Sequence, residues 1–416
     1  MPYPSITILS DQTVYAPPTD RCSVLVTITP LASDQRLDSV TRNLSLVLDR
    51  SGSMQGTKIK AARDAACRIV DQLLPTDRLS IVAFDNQVEI VCPCQPVTDK
   101  TEIKSKISRI TAGGNTALHQ AWVRGAMEVN RFSEVSTHNR ILLVTDGQAN
   151  VGETNPATLI GQAREMAMRQ LSTSTIGIGN DFNEELLIPM ASAGMGNAWH
   201  VVESEDIQRI LISELNGITA QVGSNVRFKM VASDGVEILD VINDLEELSD
   251  GWMRLANLCV GIPLQIVFKV KLSPTRPSPT ILTAYLTWTN QVGGTVCEQK
   301  VETRLWSILE ADAPALAINC EVKKHSYLLR IARHKTRAIT LLDQDQPQAA
   351  VEEILTALRL IKIAEGEIGD DSSLAEQDQL LTELYQVLSR GDRKGTRKSL
   401  RYSSYLQQTS RSGFTN

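Results

Sequence analysis

An aspartate and two serines at alternate positions follow the short apolar run of residues 44–48. They are Asp49, Ser51 and Ser53, and Gly52 between the serines allows the backbone to turn sharply. A carboxylate and two hydroxyls are hard oxygen donors, which suit Mg²⁺ or Mn²⁺ better than zinc. The segment therefore predicts a site for a hard divalent cation at the end of a strand.

Two further segments supply donors of the same kind. Thr116 follows the glycine-containing loop 113–115, and Asp146 follows the apolar run 141–144. Taken alone, Thr116 also fits a simple helix cap. Open α/β sheets bind ligands beyond the carboxyl ends of their strands. We therefore expect the three segments to meet at one edge of a sheet, bringing together Asp49, Ser51, Ser53, Thr116 and Asp146.

An alternation of strand and helix patterns between residues 43 and 221 predicts the sheet that would position these side chains. Apolar runs typical of strands covered on both faces alternate with helical periodicity. The predicted strands cover residues 44–48, 79–84, 88–91, 141–145, 174–178 and 199–202, and the predicted helices cover 59–74, 102–110, 117–132, 157–171 and 207–220. This alternation implies an α/β fold with an open, doubly wound, mostly parallel sheet.

The flanking regions have a different pattern. Residues 1–42 contain strand-like runs such as 23–29, and residues 222–312 include a period-two stretch from Leu264 to Leu272. Because so short an N-terminal run buries little core by itself, the economical interpretation is one antiparallel β-sandwich built from both ends, with the α/β domain inserted. The alternative is an N-terminal arm and an unrelated C-terminal β-domain.

Helical periodicity returns in residues 313–390, where apolar residues such as Val351, Ile354, Leu358 and Ile361 form one stripe. This pattern predicts a helical hairpin or small bundle. Residues 391–416 are rich in Arg and Lys and have no core pattern, which predicts a mobile basic tail.

The motifs Asp-x-Ser-x-Ser, Gly-Gly-x-Thr and Thr-Asp-Gly, in this order, resemble the von Willebrand factor type A domain over roughly residues 43–220. The resemblance implies a Rossmann-like fold and a complete metal-ion-dependent adhesion site. It implies that Ser51 and Ser53 bind the metal directly and that Thr116 binds it directly or through water. Asp49 and Asp146 would act mainly through waters or by hydrogen-bonding the serines.

The same resemblance implies binding of another protein rather than catalysis. The expected ion is Mg²⁺, with Mn²⁺ or Ca²⁺ as alternatives, and an Asp or Glu side chain of the partner would displace one of its waters. Intracellular bacterial members of the family are linked to ring-forming AAA+ ATPases or to kinase and phosphatase systems. The implied role is therefore an adaptor or regulator.

Two alternatives compete with this interpretation. A strand-end aspartate with Mg²⁺ also describes a phosphohydrolase, in which Asp49 would be the nucleophile. Such enzymes use a second acid where this chain has Ser51, and His119, the histidine nearest the motif residues in sequence, is expected to pack or to face solvent. The second alternative is a scaffold whose C-terminal helices make the main contact.

Composition excludes several other classes of function. The 416 residues contain 42 Lys and Arg against 48 Asp and Glu, a net charge of -6 that argues against a chain-wide nucleic-acid surface. No apolar run approaches the roughly 18 residues of a membrane helix. The first residues lack a signal-peptide pattern, and the seven cysteines are odd in number and widely spaced, which predicts reduced thiols and a cytoplasmic location. The close pair Cys92 and Cys94 fits either a redox or metal fragment or two small residues at a strand end.

Overall fold

The computed structural model describes most of the chain, in two compact units. The described residues are 3–12, 14–15, 19–31, 41–134, 137–179, 182–201, 206–272, 279–291, 294–307, 318–389, 397, 400–401, 403–405 and 407. One unit, the α/β domain, consists mainly of residues 33–224, with 290–295. The other, the β–helix unit, is built from residues 2–32, 225–289 and 296–416.

The chain begins with strands of the β–helix unit. They are β1 (Ser5–Ser10), β2 (Val14–Tyr15) and β3 (Thr19–Thr29). β1 pairs antiparallel with β3. In β3 the buried residues Val24, Leu25, Val26 and Ile28 supply core side chains, which fits a strand in the interior of a sandwich.

The α/β domain follows, with strands and helices in alternation. Its elements are β4 (Arg42–Asp49), α1 (Thr57–Gln72), β5 (Arg78–Phe84), β6 (Val88–Pro96), α2 (Lys100–Ser108), α3 (Leu118–Asn130), β7 (His138–Thr145), α4 (Pro156–Met168), β8 (Leu171–Ile178), α5 (Glu184–Ala193), β9 (Met195–Val201) and α6 (Asp206–Thr219). The strand order is β6-β5-β4-β7-β8-β9. All neighbours pair in parallel except β6, which runs antiparallel to β5 at the edge. The predicted doubly wound, mostly parallel sheet is confirmed.

The centre of this sheet positions the motif residues. β4 is buried from Asn43 to Asp49, because β5 and β7 flank it and its side chains pack in the core on both faces. On one face Trp122 of α3 packs in a cluster with Val47 and Leu143. Leu48 pairs with Val144, so the two central strands end side by side at the same edge of the sheet.

Helix α5 is an element that the sequence patterns did not predict. The parallel pairing of β8 with β9 requires a crossover between them, and α5 supplies it. Pro189 lies inside this helix, and proline has no backbone N–H to donate to a helical bond. An internal proline normally argues against a helix, which explains the omission.

A buried ion pair fixes α6 against the sheet. Glu214 of α6 accepts hydrogen bonds from Arg140 Nη1 at 2.8 Å and from Ser174 Oγ at 2.5 Å. Its other oxygen accepts from Asn197 Nδ2 at 2.7 Å and Trp199 Nε1 at 2.8 Å. Arg140 lies near the amino end of β7, away from the edge where Asp146 follows that strand, so this network supports the fold rather than the motif residues.

The sandwich of the β–helix unit combines strands from both ends of the chain. Its later strands are β10 (Gln221–Ala232), β11 (Val236–Val241), β12 (Glu246–Glu247), β13 (Met253–Arg254), β14 (Leu258–Cys259), β15 (Leu264–Leu272), β16 (Pro279–Asn290) and β17 (Val296–Ser307). One sheet has the order β1-β3-β15-β11, and the other has β12-β13-β10-β16-β17-β2, with β14 on β10. Phe228 of the second sheet and Phe268 of the first have ring centroids 5.9 Å apart. The predicted sandwich is confirmed, although β2 pairs with β17 in parallel.

Three helices follow the sandwich in the described part of the chain: α7 (Cys320–Asp343), α8 (Pro347–Ile368) and α9 (Ser372–Ser389). The predicted stripe residues Ile354 and Ile361 are fully buried in their shared core. Val322 and Leu329 of α7 pack on the sandwich residues Leu25 and Val267. The predicted start of this region at residue 313 lies outside the described residues. Among those described, no helix combines the length and the apolar character of a membrane span.

The tail predicted to be mobile contributes to the helical core. Leu400 is fully buried with residues of α7, α8 and α9, and Ser404 Oγ donates to the Ala332 carbonyl at 3.1 Å. Lys335 of α7, which is buried, donates to Ser403 Oγ at 2.5 Å, and burial lowers its pKa to about 7. These residues contact the helices, and the mobility of the tail stays a prediction. Leu400 and Tyr405 lie among basic and hydroxyl-bearing residues, so they form no regular apolar pattern in the sequence.

The close cysteine pair has a structural environment. All seven cysteines are free thiols, and both Cys92 and Cys94 are buried in β6. Burial raises the pKa of the Cys94 thiol to about 11, so little reactive thiolate forms near neutral pH. Cys94 Sγ donates to Asn43 Oδ1 at 3.4 Å. These observations favour small buried residues over a redox or metal fragment.

Candidate metal centre

Backbone contacts between two loops bring the first motif close to the glycine loop. The Gly52 N–H donates to the Gly114 carbonyl at 3.0 Å, and the Gly113 N–H donates to the Arg50 carbonyl at 2.7 Å. Gly114 has a φ of +79°, and a Cβ there would lie 2.4 Å from Asn86 Oδ1. Only glycine fits this close approach without strain. These hydrogen bonds hold the loop that carries Thr116 against the loop that follows β4.

A chain of hydrogen bonds joins the first motif to Asp146. Asp49 Oδ1 accepts the Ser51 backbone N–H at 2.7 Å, and the hydroxyl oxygens of Ser51 and Ser53 are 3.1 Å apart. Ser53 Oγ then donates to Asp146 Oδ1 at 2.7 Å. Two carboxylates and two hydroxyls from segments more than ninety residues apart therefore meet at one point.

Thr116 completes the group of motif residues. A Cβ placed on Gly147 would lie 3.2 Å from Thr116 Oγ1 and 3.7 Å from Asp49 Oδ2, so Gly147 leaves space beside both. The Thr116 N–H donates to Asn150 Oδ1 at 2.9 Å, and its carbonyl accepts the Asn150 N–H at 3.2 Å. The structure thus brings all five sequence-identified residues together, while their role as metal ligands stays a prediction.

The group is buried except on one side. Asp49 and Asp146 are 0% exposed, Ser51 is 2% and Thr116 is 4% exposed. Ser53 is exposed. A ligand from solvent would reach these oxygens from the Ser53 side.

Burial makes the negative charge of Asp49 costly. It raises the pKa of this carboxyl to about 6, against hydrogen bonds from Thr145 and Ser51 that lower the pKa, and the neighbouring Asp146 charge also raises it. Thr145 Oγ1 donates to Asp49 Oδ2 at 2.5 Å, so both carboxylate oxygens have donors. A divalent cation at this place would supply the charge that favours the ionised form.

Lys58 is a charged neighbour that the sequence analysis missed. Its Nζ donates to Asp146 Oδ2 at 2.5 Å, and its side chain is 27% exposed. Thr145 was missed as well, although it directly precedes Asp146. Lys58 lies in the first turn of α1, the helix that follows the Asp-x-Ser-x-Ser loop, and this position could have indicated that it lies near the motif residues.

The neighbouring Arg50 leaves the group's charge unchanged. Its guanidinium pairs with Asp85 at 3.1 Å and with Glu89 at 2.5 Å. Because these two acids balance the arginine, Lys58 is the cation that bears most directly on Asp146.

The donor set fits a hard cation. Two carboxylates and three hydroxyls offer only oxygen, which suits Mg²⁺, Mn²⁺ or Ca²⁺. Within the described ranges, no three His, Cys, Asp or Glu side chains are grouped to share a metal ion, so any ion held here needs hydroxyl ligands. His119 is not part of the set, because its Nε2 lies 2.9 Å from Gln162 Oε1 and its ring packs near Trp122.

Comparison with known proteins confirms the domain type. Residues 43–215 match the family model described as the von Willebrand factor type A domain. A solved structure described as a von Willebrand factor type A protein from Catenulispora acidiphila aligns with a TM-score of 0.70 at 18% identity, covering 92% of this chain and 90% of that one. At this identity the likeness shows the fold alone, including the flanking sandwich and helices.

Two curated relatives each match less than half of this chain. An uncharacterised protein of Synechocystis sp. is 31% identical over 195 residues, which cover 47% of this chain and 46% of the relative. The inter-alpha-trypsin inhibitor heavy chain H4 of Bos taurus is 30% identical over 178 residues, covering 41% of this chain and 19% of that protein. The matched segments thus span less than half the length of either relative.

Proposed function

We propose that the α/β domain is a protein-binding module that depends on a divalent metal ion and captures a carboxylate of its partner. The hydrogen-bonded chain from Asp49 through Ser51 and Ser53 to Asp146 supports this proposal most strongly, because separate segments must meet to form it. We propose Mg²⁺ as the ion, with Mn²⁺ or Ca²⁺ as alternatives.

The five residues have distinct parts in this proposal. Ser51 and Ser53 hold the ion through their hydroxyls, and Thr116 holds it directly or through a water. Asp49 and Asp146 orient the serines and balance the charge of the ion. When bound, the ion supplies an acceptor position for a carboxylate oxygen.

Charge and exposure suit an acidic partner. Two carboxylates and the Lys58 ammonium leave the site with about one net positive charge once a dication binds, so the site can accept one further acid. Ser53 is the exposed member of the group, so the Asp or Glu of the partner approaches beside it. A charge-assisted bond of this kind is directional and requires the metal.

We also propose that the site is not catalytic. In a phosphohydrolase Asp49 would act as nucleophile, but both of its oxygens accept hydrogen bonds and its side chain is fully buried. Ser51 stands where such enzymes use a second acid, and a serine hydroxyl is a poor general acid at neutral pH.

The cellular role that we propose is an intracellular adaptor or regulator, acting with an AAA+ ATPase or with a kinase and phosphatase system. This part rests on the family resemblance alone. The alternative, in which the C-terminal helices make the main contact, predicts partner binding that does not depend on metal.

Metal binding tests the site directly. Protein stripped of metal and freed of chelator is titrated with Mg²⁺ by calorimetry, alongside Ser53→Ala and Asp49→Asn. We expect one binding event in the wild type, and an affinity at least about tenfold weaker in each variant, since each loses a ligand or a charge. Ser105→Ala, an exposed serine on α2, is the matched control and binds as the wild type does. Equal uptake by the wild type and Asp49→Asn would overturn the assignment.

Partner capture tests the function. The full chain is used as bait in an extract of its source cells, with Mg²⁺, with a chelator, and as Asp49→Asn with Mg²⁺. The proposal predicts a partner retained under the first condition and lost under the other two. A partner retained under all three conditions would favour the C-terminal helices instead.

A further inference from the structure

The β–helix unit contains a cleft lined by basic side chains, separate in residues from the candidate metal centre. Its volume is about 320 Å³, and it lies between α7 and the neighbouring sheet. The lining includes the basic residues Lys269, Lys323, Arg330, Arg333, His334 and Arg337, with the acids Asp11 and Asp240.

One wall of the cleft is a single face of α7. Lys323, Arg330, Arg333 and Arg337 follow one another at intervals of seven, three and four residues. Residues at these intervals share one side of an α-helix. Arg330 and Arg337 are both exposed. They are separated by about 10 Å along the helix axis.

The opposite wall is formed by a row of side chains that lie in register on the neighbouring strands β11, β15 and β3. Lys269 of β15 pairs in register with Asp240 of β11 on one side and with Ser23 of β3 on the other. Asp11 lies at the end of this row, where its carboxylate accepts the Ser23 N–H at 3.0 Å. Ser326 of α7 faces Ser23, with hydroxyl oxygens 3.3 Å apart. Hydroxyls and a lysine thus line the wall that faces the arginines.

Part of the positive charge already has protein partners. Arg333 makes two hydrogen bonds to the Asp240 carboxylate, at 2.5 and 3.0 Å. Lys323 pairs with Glu367 at 3.3 Å, and His334 Nδ1 lies 2.6 Å from Glu353 Oε2. These contacts hold α7 against its neighbours and contribute little net charge to the cleft.

Three further cations of the lining, Lys269, Arg330 and Arg337, outnumber its other acid, Asp11. Within the described part of the chain, no carboxylate lies within the 4.0 Å ion-pair distance of Lys269, Arg330 or Arg337. Like charges around one cleft repel each other, and this repulsion is relieved when an anion binds between them. Arginine guanidinium groups match the geometry of phosphate oxygens, and the serine hydroxyls can donate as well.

We propose that this cleft binds a chain of linked phosphate groups, either inorganic polyphosphate or the phosphate chain of a nucleotide. Linked phosphates carry several charges along one line, which matches cations spread along two turns of α7 and on the facing strand. The volume is at the lower limit for small-molecule pockets, so it suits a compact ligand.

Calorimetry with inorganic tripolyphosphate tests the proposal in the full chain. The protein is freed of metal and then of chelator, because a chelator is itself an anion that would compete. We expect one binding event that weakens with added salt, since the three cations are partly or fully exposed. Arg330→Ala/Arg337→Ala should weaken binding at least about tenfold. The two arginines lie on the surface, so this double variant keeps the fold.

A matched control and a second ligand complete the test. Arg359→Ala removes an exposed arginine from α8 and should leave the affinity within about twofold of the wild type. Adenosine triphosphate without metal is the second ligand; tighter binding than tripolyphosphate assigns the cleft to nucleotides, and equal or weaker binding assigns it to inorganic chains. Absence of binding in the wild type, or equal binding by wild type and double variant, overturns the proposal. Equal or tighter binding of an acidic peptide without phosphate also overturns it.

Discussion

Lys58 determines the charge that a metal ion meets at Asp146. Its ammonium donates to one oxygen of that carboxylate while Ser53 donates to the other. An ammonium and a dication that approach the same carboxylate repel each other, and the repulsion is strong because Asp146 is fully buried. Lys58 therefore limits the affinity of the site that we propose.

Replacing this lysine should strengthen metal binding. We expect Lys58→Met to lower the dissociation constant for Mg²⁺ about tenfold, because it removes a positive charge and frees an oxygen of Asp146. Calorimetric titration measures the change. Lys60→Met, on an exposed position of the same helix, is the control and should leave the constant unaltered. A weaker affinity in Lys58→Met would instead mean that the lysine helps to hold the site together.

His138 makes the α/β domain sensitive to acid. Burial, together with the nearby charges of Arg140 and Arg42, lowers the pKa of this imidazole to about 3. Neither ring nitrogen has a hydrogen-bond partner in the described part of the chain. The unfolded chain takes up a proton below pH 6.5, whereas the folded chain does not until about pH 3. This residue therefore lowers stability as the pH falls through that interval.

Comparing the pH-dependent loss of stability in the wild type with the loss in His138→Leu separates the effect of this imidazole from that of other titrating groups. Between pH 7 and pH 5 the wild type should lose about 2 kcal/mol more stability than His138→Leu, which cannot take up the proton. Urea unfolding followed by circular dichroism at the two pH values measures both losses. Equal losses in the two proteins would show that the imidazole takes up its proton over the same pH range in the folded and the unfolded chain.

At the scale of elements, the sequence predicted those parts of the fold that follow from regular patterns. The buried strands β4 and β7 are continuous apolar runs, and the donors that follow them meet as predicted, because parallel neighbouring strands end at the same edge. Helix α5 was missed, since Pro189 contradicts the local pattern while the crossover between β8 and β9 demands a helix. Lys58 and Leu400 were missed because their partners, Asp146 and the α7–α9 core, are distant in sequence.

The network around Glu214 shows how one polar side chain can fix an element. A buried carboxylate is tolerated when all four of its donors are present. If its charge partner is removed, the unpaired buried charge lowers the free energy of unfolding. Arg140→Met should therefore destabilise the α/β domain by about 3–5 kcal/mol. Hydrogen exchange of the β7 amides, which reports the opening of this strand, measures the loss.

A second substitution isolates the cause. Arg140→Met/Glu214→Met removes both charges and should recover part of the loss, because no unpaired carboxylate remains in the core. If the double variant is less stable than Arg140→Met alone, the lost hydrogen bonds from Ser174, Asn197 and Trp199 to Glu214 outweigh the removal of the unpaired charge.

At the scale of the whole molecule, the chain combines two candidate sites of opposite preference. The metal centre gathers carboxylates and hydroxyls for a cation, and the cleft gathers arginines and a lysine for an anion. The residues of the first belong to the α/β domain, and those of the second belong to the β–helix unit. Since each site uses the side chains of one compact unit, a substitution in one should leave the other intact.

This independence gives a prediction for pairs of variants. Ser53→Ala should weaken Mg²⁺ binding and keep tripolyphosphate binding, and Arg330→Ala/Arg337→Ala should show the reverse. The triple variant should show both losses, each within about 0.5 kcal/mol of its separate value, as expected for sites that share no partners. Mg²⁺ and tripolyphosphate form a complex in solution, so the two titrations are made separately on each protein. A change in Mg²⁺ affinity caused by the arginine substitutions would reveal energetic coupling between the units and would contradict two independent sites.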